Sequence, residues 1–156
     1  MKITAQEEYG LRILLRIARG DSQKGLTISQ LSEQEGLSSQ NVAKLCRILR
    51  INNFIKSTRG QIGGYTLANN ASEIKIKNVL YILGGKLYDD DFCVSHSGLP
   101  KLCTNSVDCS IRSLWKMLQF SVDKILFNIT LQDLVGSELE LNKICMENVN
   151  IKLMKN

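Results

Sequence analysis

Residues 27–68 read TISQLSEQEGLSSQNVAKLCRILRINNFIKSTRGQIGGYTLA, and this stretch decides the fold. Thr27, with Gln30 three residues on, has the form of a capping box. The helix it opens, ISQLSEQE, stops at Gly36. Ser38 then opens a second helix, over about 39–52, in which Val42, Leu45, Cys46 and Leu49 form one apolar stripe. Gln40, Asn41, Lys44 and Arg47 face the other way. Two short helices joined by a tight glycine-containing turn make a helix-turn-helix. Amide and basic side chains on the outer face of its second helix suit base edges and phosphates in a major groove. Ser38, Gln40, Asn41, Lys44 and Arg47 are therefore candidate DNA contacts. Cys46 lies on the inner stripe and reads as a small core hydrophobe. Two short strands follow, FIKST (54–58) and YTLA (65–68), with the glycine-rich tip RGQIGG between them. A helix-turn-helix followed by a hairpin is a winged helix. Arg59 at the hairpin tip is the natural probe of a minor groove or backbone, the alternative being a solvated arginine in an ordinary turn.

Upstream, residues 4–19 have the helical period, with Leu11, Leu14, Leu15 and Ala18 on one stripe, Ile13 and Ile17 widening it, and Glu7 and Glu8 in the first turns, where carboxylates suit the helix dipole. Residues 1–69 carry ten basic and five acidic side chains, an excess that equals the whole chain's net +5. The positive charge therefore lies with the helix-turn-helix and points to a polyanion, or else to a solvated basic face. The 156 residues, 44% of them hydrophobic, suit one small domain with an extension. No run reaches the ~18 apolar residues of a membrane span. The opening MKITAQEEYGLR is too polar for a secretory signal, so a cytoplasmic protein is expected.

Downstream, residues 72–84 are expected to form a helix capped by Ser72. Beyond the acidic run Asp89–Asp91 lies CVSHSGLPKLCTNSVDC (93–109), which has no apolar period, reads as a loop, and holds the only proline and the only histidine, Pro100 and His96. Three of the five cysteines, Cys93, Cys103 and Cys109, fall in it. Such thiols can bind a metal or cluster, pair as a disulfide, or stay free. In a reducing cytosol metal or cluster binding is favoured. Zinc held by Cys93, His96, Cys103 and Cys109 is one possibility, although the cysteines lack a C-x₂₋₄-C knuckle. Next comes a heptad seam of Ile111, Trp115, Leu118, Val122, Ile125 and Ile129, suited to pairing with the same helix of a second copy. Thr130 caps a short turn, LQDLV. Residues 137–156 show scattered apolar positions and are expected to be a partly disordered tail. No C-x-x-C, P-loop or dinucleotide fingerprint is present, and the single histidine has no evident nucleophile or orienting partner, so an enzyme is not expected.

The segments MKITAQEEYGLR, STRGQIGGYTLA with the following ASEIKIKNVL, the three cysteines, and LWKMLQFSVDKILFNITLQDLV together resemble the Rrf-two family of bacterial winged-helix transcription regulators, in particular its iron–sulfur members IscR, NsrR and RirA. The resemblance covers roughly residues 1–136. It implies a mainly α fold with a small β-hairpin wing, a winged helix-turn-helix in 1–70, a cluster loop and dimerisation helix in 71–136, and a C-terminal tail in 137–156. It implies a homodimer on a palindromic operator and one iron–sulfur cluster per subunit, held by Cys93, Cys103, Cys109 and a fourth ligand. Two departures stand out. Nine residues separate the first two cysteines, where about five to seven are usual, and a loop absorbs such an insertion at small entropic cost. The histidine that IscR-like members place three residues after the last cysteine is replaced by Arg112, which stays protonated and cannot ligate. NsrR-like members use a carboxylate at the start of the first helix of the other subunit. Glu8 holds that position, with His96 and then Glu7 as alternatives. The missing histidine favours [4Fe-4S], and [2Fe-2S] stays open.

Overall fold

A computed structural model of the chain describes residues 3–21, 24–58, 63–89, 91–97, 103 and 107–153. Helix α1 (Ala5–Arg19) starts at a capping box in which the Thr4 hydroxyl accepts the Glu7 N–H and the Glu7 carboxylate accepts from Thr4. Its apolar stripe, Ile13, Leu14 and Ile17, is buried at the centre of the core. Around it pack α2 (Ile28–Glu35), α3 (Ser39–Ile51), the hairpin β1 (Ile55–Ser57) and β2 (Tyr65–Leu67), and α4 (Ile76–Gly84). The helix-turn-helix is built as its sequence predicts. Thr27 caps α2 with a complete capping box, and Gly36 ends it with φ +66°, a left-handed turn that glycine makes without strain.

The strands pair antiparallel, Ile55 opposite Leu67 and Ser57 opposite Tyr65. Leu26 adds a bridge to the outer side of β2, donating to the Tyr65 carbonyl and accepting from its N–H at 3.0 and 2.8 Å. Gly64 is needed there, because a Cβ would sit 2.8 Å from the Leu26 nitrogen.

Four expectations are corrected. The helix expected over 72–84 starts only at Ile76, and Ser72 does not cap it. Residues 74–76 are instead held extended against 129–131. Lys75 bridges Thr130, the Leu131 N–H donates to the Ile74 carbonyl at 2.8 Å, and the Ile76 N–H donates to the Ile129 carbonyl at 3.0 Å. That same clamp removes Ile129 from the seam. The long helix α6 (Ser110–Leu126) ends before it, and Ile129 is 7% exposed within the chain's own core. The cysteine loop carries one turn of helix, α5 (Phe92–Ser95). The tail is not structureless, because after α7 (Leu131–Val135) an α8 runs over Glu138–Leu153.

Candidate nucleic-acid interface and cysteine segment

α3 presents the DNA-reading candidates on one side. Gln40, Lys44 and Arg47 are exposed and Asn41 half-buried, while Val42, Leu45, Cys46 and Leu49 are buried on the other side. Ser38 is the N-cap of α3, its hydroxyl accepting the Asn41 N–H at 3.3 Å. The Ser38 side chain is thus tied to the helix start. Arg59 lies outside the described residues. Burial pushes the Cys46 thiol up to about 12, so it stays protonated and inert, as its place on the inner stripe implies.

Sequence reading missed the grip on the helix-turn-helix. Glu35, at the end of α2, is buried and receives the Arg12 Nε at 2.9 Å and the Arg16 Nε at 2.7 Å, and the Arg12 guanidinium also reaches the Glu35 carbonyl at 2.8 Å. One carboxylate thus serves two of the basic side chains counted toward the DNA face and offsets one of their two charges. They lock α1 onto the helix-turn-helix one residue before the Gly36 turn. Two arginines four residues apart on α1 were the available signal, but nothing in the sequence marked Glu35 as their partner.

Cys93 and Cys109 flank the stretch between α5 and α6, and Cys103 lies within it in sequence. Cys93 lies in α5, with its sulfur 3.5 Å from the Tyr88 hydroxyl. Cys109 is the N-cap of α6, and its sulfur accepts the Arg112 N–H at 3.3 Å. Cys93, Cys103 and Cys109 are all half-buried and unbridged. Three free thiols, two of them with a polar contact, are the donor set that an iron–sulfur cluster or zinc takes. They fit such a group in chemistry, although among the described residues no three ligating side chains stand together as a ready site. His96 turns its Nδ1 to the Phe92 carbonyl at 2.8 Å and stacks its ring on Phe92 at 4.1 Å, which leaves Nε2 outward. Glu7 is committed to the α1 cap. Glu8 is exposed on α1, with no side-chain partner among the described residues.

α6 packs on its own chain through a narrow polar strip. Gln119 is its one buried residue. The Gln119 amide donates to the Tyr81 hydroxyl at 2.8 Å and to Asp123 at 2.7 Å, and its oxygen accepts the Tyr88 N–H at 3.1 Å. Tyr81 also donates to Asp123, which pairs with Lys77 at 3.1 Å. Burial, with the Asp123 carboxylate beside it, pushes the Tyr81 hydroxyl well above the ordinary phenol range. Burial alone would raise Asp123, but hydrogen bonds from Tyr81, Lys77 and Gln119 outweigh it and hold the carboxyl below its usual range. The seam residues Ile111, Trp115, Leu118 and Ile125 are exposed and Val122 half-buried. Trp115, Leu118, Val122 and Ile125, with Leu87 and Phe92, line an apolar cleft of about 450 Å³.

The family described as "Rrf2: Iron-dependent Transcriptional regulator" matches residues 3–137. The chain belongs to the Rrf2 family. Members of this family are DNA-binding transcriptional regulators, not enzymes. The protein named rrf2 of Nitratidesulfovibrio vulgaris is 32% identical over 135 residues, covering 86% of this chain and 87% of its own length. The regulator IscR of Pectobacterium atrosepticum is 28% identical over 142 residues, 91% of this chain and 84% of its own. Among solved structures, the T. potens IscR superposes with a TM-score of 0.65 at 26% identity, covering 86% of each chain. The oxidised form of Staphylococcus aureus CymR superposes with a TM-score of 0.66 at 26% identity, covering 88% of this chain and 98% of that one. The mainly helical fold with its two-stranded wing is thus that of Rrf2-family winged-helix regulators. Among the described residues, no helix is long and apolar enough to cross a membrane.

Proposed function

We propose that the protein is a homodimeric, cytoplasmic transcriptional regulator whose affinity for a palindromic operator is set by an iron–sulfur cluster bound by Cys93, Cys103, Cys109 and Glu8 of the partner subunit. The observation that carries this reading is the place of Cys109, whose thiol caps the same helix that offers the exposed apolar seam. A ligand at Cys109 therefore acts on the element that would join two subunits. When bound, the cluster supplies a link between protein ligands that redox change, nitric oxide or iron shortage can break. The chain's own residues do the rest. Ser38, Gln40, Asn41, Lys44 and Arg47 offer donors and charge to a major groove, and Arg59, in the glycine-rich stretch between the two strands, supplies a further charge for the DNA. Ile111, Trp115, Leu118, Val122 and Ile125 bury their apolar surface on a second copy. Residues 1–70 read DNA, 71–136 sense and dimerise, and 137–156 form a C-terminal tail.

Glu8 shares a face of α1 with Arg12 and Arg16, each four residues on, and those arginines hold Glu35 at the helix-turn-helix. Ligation at Glu8 would so bear on the DNA-reading unit. A carboxylate is a weak ligand beside thiolates, which makes it the first to leave. The missing histidine at Arg112 favours [4Fe-4S]. The test uses duplexes selected from a random pool by the cluster-loaded protein. Stripping the cluster should change affinity for the selected site about tenfold or more, and Glu8→Ala should abolish that difference while sparing the binding of stripped protein. Glu8→Ala with an undiminished response would remove Glu8 from the ligand set.

A second reading is a winged-helix regulator with zinc or no metal at the cysteines. It is favoured by the donor types alone, three free thiols with the exposed His96 three residues after Cys93, a Cys₃His set that suits zinc. A colourless protein holding stoichiometric zinc would establish it.

A further inference from the structure

Between the cysteine segment and α4 runs a chain of contacts that the reading above does not use. The Tyr88 hydroxyl lies 3.5 Å from the Cys93 sulfur, within hydrogen-bond reach of it. The Tyr88 ring is buried and tilts against Phe92 with centroids 5.3 Å apart. Its backbone N–H is taken by Gln119, whose amide also holds Tyr81 of α4 and Asp123. α4 in turn meets α1 at close range. A Cβ at Gly10 of α1 would stand 2.6 Å from the Leu83 methyls, and the Gln6 amide donates to the Leu83 carbonyl. One buried glutamine thus joins the residue that touches Cys93 to the helix that supports the DNA-reading unit. Every polar atom of the Gln119 side chain that forms the junction is hydrogen-bonded, so the arrangement has one geometry rather than several.

We propose that Tyr88 and Gln119 are positioning residues of the sensor. Tyr88 holds the Cys93 sulfur by hydrogen bond, and Gln119 transmits the position of Tyr88 to α4. This inference rests on the cluster reading for its signal and on the described geometry for its path. A Cys93 sulfur engaged by the cluster holds Tyr88 in place, and Gln119 then keeps its contacts to the Tyr88 N–H, Tyr81 and Asp123. Loss of that engagement removes one of the contacts that position Tyr88, and the change reaches α4 through Gln119.

The test uses full-length wild type, Tyr88→Phe and Gln119→Leu, each reconstituted without oxygen. Tyr88→Phe should load iron and sulfide as wild type does, yet show a smaller deuterium-sensitive component in the iron–sulfur stretching bands, since one exchangeable donor to sulfur is gone and the Arg112 N–H remains. In both variants the ratio of loaded to stripped DNA affinity should shrink at least threefold toward unity, with the affinity of stripped protein unchanged. The same variants without cluster are read through Trp115, the single tryptophan, which lines the cleft with Phe92 and Leu87. Its emission should shift to the red in Gln119→Leu. Variants that keep both the deuterium-sensitive bands and the wild-type affinity ratio would overturn the proposal. Wild type that takes up no iron would fell the cluster reading alone. In that case an unshifted Trp115 emission in Gln119→Leu overturns the junction, and a shifted one upholds it.

Discussion

Glu35 shows how one buried carboxylate can organise a small DNA-binding unit. Its burial is tolerable because two guanidinium groups and their hydrogen bonds satisfy it, while the arginines keep part of their surface in water. Removing it strands neither arginine in an apolar place, so the loss is that of the charged hydrogen bonds. Glu35→Ala should cost about 1–3 kcal/mol, read by chemical denaturation, and should loosen α2 against α1. The pair Tyr81 and Asp123 gives stability a pH window. Asp123 titrates lower in the folded chain than in the unfolded one, so its contribution is present above the ordinary carboxylate range and is lost as pH falls through its folded value. Tyr81 titrates higher when folded, so its contribution is present below the ordinary phenol value of ~10 and is lost as pH rises through its folded value. Melting temperature against pH should fall off at both ends in wild type. Asp123→Asn should flatten the acid limb and Tyr81→Phe the alkaline one. At this scale the sequence was legible where a side chain obeys a period. Cys46 falls on the α3 stripe and is fully buried. It was not legible where two side chains far apart in sequence meet. Glu35 and Gln119 look like surface residues until their partners arrive from another helix.

Helix boundaries followed local chemistry wherever a cap was present. Thr4, Thr27, Ser38 and Thr130 each begin a helix with a hydroxyl accepting an N–H. Ser72 had the same appearance and failed, because the backbone of residues 74–76 is committed to residues 129–131. A pairing across more than fifty positions carries no local mark. The same pairing ends the apparent heptad at Ile125 and folds Ile129 inward. Residues 138–153 concealed a helix for a different reason. Their apolar side chains are spread around the axis, so no face repeats. Close packing of α1 on α4 depends on Gly10. Gly10→Val would press on the buried Leu83 and should cost about 1–3 kcal/mol, with a matching drop in melting temperature.

For the whole molecule, the winged-helix outline was legible because hydrophobic period, caps and turn glycines agree along residues 4–68. The cysteine site was legible only as a donor set, since spacing names the ligands but not how the chain gathers them. α6 leaves Trp115, Met117, Phe120 and Ile125 at 39%, 57%, 65% and 45% exposure, more apolar surface than a lone subunit ordinarily leaves in water. The proposed dimer covers the seam part of it. Trp115→Glu or Ile125→Asp should give a folded monomer by analytical ultracentrifugation, with affinity for a two-half-site duplex reduced about tenfold or more. The central claim, that the three cysteines bind an iron–sulfur cluster, is tested most directly by iron and sulfide analysis with an absorption spectrum on protein purified without oxygen. A broad band near ~400 nm with about four irons and four sulfides per chain is the predicted result, lost on changing Cys93, Cys103 or Cys109 to serine. A colourless protein that takes up no iron or sulfide, even on reconstitution, would contradict it.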